Sequence, residues 1–117
     1  MTVSDQQQKI QIALTRLRTE LCDEVIVELV QLYLSNVSIQ LEKLNGAIAR
    51  DELKSIRDLG HAIKSTSANL GVESLQETCL QIENSKDTIG LNKLYMRAKE
   101  EFQTAKKILL NEIKEAS

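Results

Sequence analysis

Apolar residues recur every three or four positions along almost the whole of this chain, the spacing of one face of an α-helix. Ile10, Ala13, Leu14, Leu17 and Leu21 make a first stripe. Asp23 stands as an N-cap for the next start, with Glu24 in its first turn, where carboxylates meet unpaired N–H groups. The second stripe runs through Ile26, Val30, Tyr33, Val37, Leu41, Leu44 and Ile48 in steps of 4, 3, 4, 4, 3 and 4, which is about six helical turns. Asn45-Gly46 has the look of a turn, but the stripe passes through it. The break is therefore placed at Arg50-Asp51, with Asp51 as the N-cap of a third helix.

That third helix carries Leu53, Ile56, Leu59, Ile63 and Leu70 inward, with Ala62 and Thr66 beside them. It stops near Asn69 or Leu70, where Gly71 supplies a left-handed residue. Val72, Leu75, Cys79 and Ile82 step along a fourth helix, followed by a loop at Asn84-Ser85 and Thr88-Ile89-Gly90. A last helix runs from about Leu91 to Lys114 through Leu94, Tyr95, Ala98, Phe102, Ala105, Leu109 and Ile113, and the terminal Lys-Glu-Ala-Ser is expected to fray. No alternating strand pattern competes. The pattern predicts an all-α protein: an antiparallel up-and-down four-helix bundle with an additional short N-terminal helix across one end, in a single domain over residues 1–117.

Composition agrees with that picture and narrows the chemistry. The 117 residues include no Pro and only four Gly. Fifteen basic and 17 acidic side chains leave a net charge of −2, and aromatics are 3% of the chain. That gives neither a basic field for nucleic acid nor stacking platforms for bases. No apolar run approaches the length of a membrane span, and the first residues lack the basic and apolar regions of a signal peptide. A cytoplasmic chain is expected. Cys22 and Cys79 form no CxxC pattern and are expected as buried thiols in a reducing compartment.

The chain has one histidine, His61. One imidazole excludes HExxH zinc sites. It has no partners at metal-ligand spacing, and no strand-borne nucleophile elbow is present for a Ser-His-Asp triad. His61 lies two positions from both Leu59 and Ile63, about 200° around the helix, so it faces away from the core or sits at its flank. Arg57, Asp58, Lys64 and Ser65 share its face, with Lys54 and Ala68 one turn further. On spacing alone this is a solvated histidine among cations and small residues.

The string His61-Ala62-Ile63-Lys64-Ser65-Thr66-Ser67-Ala68-Asn69-Leu70-Gly71 resembles the active segment of histidine-containing phosphotransfer (HPt) domains. Leu75, Cys79 and Ile82-Glu83 follow in the register of that family, and the resemblance covers about residues 25 to 110. Ser65 departs from it, standing where the family usually has Gly to keep the imidazole clear. Ser is the next smallest polar choice and is expected to hydrogen-bond back to the His61 carbonyl. A Ser here is also similar to free-standing carriers of the quorum-sensing type, and the initiating Met and first helix favour a free-standing protein.

The resemblance implies reversible phosphoryl transfer. A receiver-domain phospho-aspartate donates to Nε2 of His61, which passes the group to a second receiver. Imidazole suits this because its neutral form, a nucleophile, is well populated near pH 7. By resemblance, Glu83 accepts from Nδ1 and orients the ring, and Lys64 attracts the phosphoryl oxygens, with Arg57 a lesser contributor. Lys54, Ser65, Ala68 and Gly71 belong to the docking face. The partners implied are the receiver domains of a hybrid sensor kinase and of a response regulator. Mg2+ is expected on the partner and no cofactor on this chain, which is then a monomeric phosphocarrier rather than an enzyme. The alternative is a helical adaptor that is never phosphorylated. A dimerising histidine kinase would need an ATP-binding domain that 117 residues cannot hold.

Overall fold

Each apolar stripe folds into a helix with that stripe turned inward. The computed structural model describes residues 4–116. In order these form α1 (Asp5–Arg18), α2 (Asp23–Ala49), α3 (Leu53–Asn69), α4 (Glu73–Glu83) and α5 (Leu91–Ala116), and no strand occurs among the described residues. Helix α2 packs on α3 and α5, and α4 packs on the same two. Short turns join successive helices, so the four alternate in direction around one core. Leu44, Ile56, Ile63, Leu75, Ile82 and Leu109 are fully buried in it. Among the described residues no helix is long and apolar enough to cross a membrane.

Helix α1 lies across the end where α3 gives way to α4. It buries Ile10 and Leu14 completely. Lys9 Nζ sits 2.6 Å from Glu73 Oε1, and Gln11 Nε2 donates to Glu112 Oε1 at 2.8 Å. Inside the bundle one polar pair joins α2 to α3, with Tyr33 Oη and Ser67 Oγ 2.7 Å apart. Burial pushes the Tyr33 phenol well up, and it pushes the Cys79 thiol to about 12. Cys79 is therefore a protonated core residue.

Several expectations need correction. Asp51 does not cap α3. Its φ is 52°, and it ends α2: its N–H donates to the Ile48 carbonyl at 3.2 Å and that of Glu52 to the Ala47 carbonyl at 3.0 Å. This is a Schellman closure with aspartate in the left-handed position. Glu52 occupies the N-cap position of α3 without a capping side-chain bond, its carboxylate pairing instead with Arg50. Cys22, expected buried, is exposed; it is the N-cap residue of α2, on the surface corner after α1, and Asp23 is the first helical residue. Thr66 is exposed, its hydroxyl donating to the Ala62 and Ile63 carbonyls, whereas Gly60 and Ser67 are buried. The buried arc of α3 turns toward α4 as well as α2. Helix α5 continues through Ala116. Ser117 and the initiating Met lie outside the described residues.

Candidate functional site

His61 sits mid-way along α3, its side chain 62% exposed. The residue before it is what allows α4 to come alongside. A Cβ on Gly60 would lie 3.1 Å from the Cys79 carbonyl oxygen, the Glu83 backbone nitrogen and Ile82 Cγ2. Two of those atoms are backbone, so the helices pass as closely as a glycine permits. That contact brings Glu83, the last residue of α4, beside the imidazole.

The Glu83 carboxylate bridges two side chains of α3. Its Oε1 is 2.6 Å from His61 Nδ1 and its Oε2 is 2.5 Å from Lys64 Nζ. The hydrogen bond from Lys64 is the main influence holding Glu83 below the usual carboxylate range; partial burial opposes it, and the His61 contact adds to it. An ionised carboxylate only accepts hydrogen bonds. Nδ1 must then carry the proton it shares with Glu83, and in the neutral ring the lone pair falls on Nε2.

Around this triad the structure brings most of the sequence-named residues together. Ser65 Oγ donates to the His61 carbonyl at 3.0 Å, so its hydroxyl is folded back along the helix. Lys54 Nζ lies 2.9 Å from Asp58 Oδ2 on the exposed face. Arg57 Nε donates to the Ser85 carbonyl at 3.0 Å, tying α3 to the loop after α4. Ala68 is exposed on the same side of α3. Gly71 is not brought to this face. It takes φ 72°, and a Cβ there would stand 2.5 Å from the Lys9 carbonyl oxygen and 2.9 Å from Ala13 Cβ. It closes α3 and seats α1.

Next to the imidazole opens a cleft of about 500 Å³ lined by Arg57, Asp58, His61, Glu83, Asn84 and Lys86. Sequence reasoning missed two features of this region. Gly60 had a legible signal, because a glycine inside a helix costs about 1 kcal/mol against alanine and marks a close approach. Lys86 had none: it belongs to a loop, and no helical spacing relates it to His61. Among the described residues no group of three or more His, Cys, Asp or Glu side chains gathers as a metal site.

No curated protein and no solved structure matches the chain. A family model described as Hpt domain matches residues 28–115. Such domains serve histidine phosphotransfer in phosphorelays, as carriers that exchange the group with receiver domains. The matched stretch holds the whole of α3 and α4, including His61, Lys64 and Glu83, and leaves α1 outside. With that match over more than half its length, and with an all-helical bundle presenting one exposed histidine, the chain belongs to the Hpt domain family.

Proposed function

We propose that this chain is a histidine phosphocarrier that takes a phosphoryl group from the aspartate of one receiver domain onto His61 and yields it to the aspartate of a second. The observation that carries the reading is the 2.6 Å contact between His61 Nδ1 and Glu83, on an otherwise exposed ring. With the proton held on Nδ1, the Nε2 lone pair attacks phosphorus. The bond to the aspartyl oxygen breaks, and its electron pair leaves with the carboxylate. The positive charge left on the ring faces the Glu83 carboxylate, as an aspartate faces the imidazolium of a catalytic triad. In the second transfer the N–P bond breaks and its pair returns to Nε2. Lys64 and Arg57 supply positive charge beside the ring, and positioning plus charge is most of what phosphoryl transfer asks of a protein. The metal used in that chemistry is assigned to the receiver partner.

Docking is assigned to the outer face of α3, where Lys54, Ser65 and Ala68 are exposed, and to the neighbouring end of α4. An apolar groove between α2 and α3, lined by Leu29, Leu32 and Asn36 among others, borders this face. The partners are the receiver domains of a hybrid sensor kinase and of a response regulator. The chain acts as a cytoplasmic monomer, since one face serves both partners in turn.

The test is transfer itself. A receiver domain labelled on its aspartate is mixed with the wild type and with His61→Gln. The wild type acquires acid-labile label and the variant none. A wild type that binds the receiver but never takes label points to the adaptor alternative, and label on His61→Gln would overturn the assignment of the acceptor.

A further inference from the structure

We propose that the loop after α4, residues 84–90, is a docking element for the receiver partner, with Lys86 meeting the acidic rim of the partner's metal pocket and Arg57 holding the loop in place. This rests on the carrier reading above and names a further contact of that same site. Lys64 and Arg57 keep the roles given them there. His61 and Lys86 both line one cleft of about 500 Å³. A void of that size is about 10 Å across, whereas a standard interface covers about 800 Å² of each partner, a disc of roughly 16 Å radius. A receiver centred on the exposed His61 ring therefore reaches Lys86, whichever edge of the ring it approaches.

The charges at this edge leave a positive excess. Lys54 holds Asp58 at 2.9 Å, and Glu83 is shared by Lys64 and His61. Asp87 turns its Oδ1 to the Ile89 N–H at 3.0 Å. Among the described residues, Arg57 and Lys86 pair with no carboxylate. The partner has the opposite sign at the matching place. Phosphoryl transfer uses Mg2+ to neutralise the developing charge, and Mg2+ is held by carboxylates and phosphate oxygens. A pocket that binds it beside a phospho-aspartate carries acidic side chains. Opposite charges facing each other at an interface rim speed encounter and fix orientation.

The backbone that presents Lys86 is fixed. Arg57 Nε donates to the Ser85 carbonyl at 3.0 Å. The Ser85 N–H donates to the Ile82 carbonyl at 3.2 Å and its hydroxyl to the Gln81 carbonyl at 3.0 Å. Asp87 is bonded on the other side of Lys86. The exposed lysine therefore leaves from an ordered loop, so little backbone freedom is lost when a partner docks.

The test is the rate of transfer against salt. Receiver domains from the source organism are charged on aspartate with acetyl phosphate, and transfer to the full chain is followed for wild type and for Lys86→Gln, Lys86→Glu and Lys86→Arg. At low salt, Lys86→Gln should lower kcat/KM about threefold, mainly through KM, and the deficit should vanish near 0.5 M salt, where exposed charges are screened to about 4 Å. Lys86→Glu should lose more, and Lys86→Arg should restore the wild-type rate. Lys107→Gln, on the exposed side of α5, controls for charge lost elsewhere. Arg57→Gln should displace the Ser85 and Lys86 amide resonances of the free chain. Low-salt rates in Lys86→Gln and Lys86→Glu equal to wild type overturn the proposal. So does a deficit that persists at high salt, or one that Lys107→Gln shows equally. Each of those outcomes leaves the carrier reading standing, whereas a wild type that takes no label removes both.

Discussion

At the residue scale, one carboxylate decides what the imidazole can do. Glu83 is shared between His61 Nδ1 and Lys64 Nζ, and the Lys64 bond keeps it ionised below the ordinary value of 4.5. A carboxylate whose folded value is depressed stabilises the fold above its unfolded value, and loses that contribution as pH falls through the folded one. The Lys64–Glu83 pair is best isolated in a His61→Gln background. There, the stability lost on adding Glu83→Gln should stay constant above pH 4.5 and shrink as pH falls below it. Urea unfolding midpoints across that range read it, and a loss unchanged down to the acid end would show that the pair contributes nothing.

At the scale of elements, the α3–α4 approach sets the site's geometry. Alanine for glycine inside a helix normally stabilises by about 1 kcal/mol. At Gly60 the added methyl meets the Cys79 oxygen and Glu83 nitrogen at 3.1 Å. Gly60→Ala should therefore lower Tm instead of raising it, and displace the 15N resonance of His61 Nδ1. A higher Tm with an unmoved ring signal would mean that α4 gives way freely. The same crossing explains how much of the site was legible. His61, Lys64 and Ser65 share one helix, so spacing alone groups them. Glu83 came from the register of a family pattern and needed α4 laid against α3 to become a partner. Asp51 was misread because aspartate both caps starts and tolerates the left-handed turn that ends helices.

At the scale of the whole molecule, the bundle holds its functional helix by more than apolar burial. Tyr33 Oη and Ser67 Oγ lie 2.7 Å apart across the α2–α3 seam, and the Tyr33 ring stands 6.4 Å from that of Phe102 on α5. Ser67→Ala should cost about 1–3 kcal/mol, the penalty for a buried hydroxyl left unpaired. Tyr33→Phe together with Ser67→Ala should cost less than the two single changes summed, since neither partner is then left alone. A double-mutant cycle by urea unfolding reads the difference, and strict additivity would show that the pair is not coupled.

The sequence by itself determined the five helices, most of the faces they bury and the exposure of its one histidine. These follow from local periodicity, which a chain carries without knowing its neighbours. Its motif around His61 also placed it near a family of phosphocarriers. Only the tertiary structure decided which atoms meet. It gave the Glu83 carboxylate to Nδ1 and Lys64 together, and put Gly71 under α1 instead of at the docking face. It also brought a loop lysine, Lys86, and the imidazole to the lining of one cleft. Such contacts depend on how closely two helices pass, which is fixed by the side chain absent at Gly60 and by packing between residues far apart in the chain.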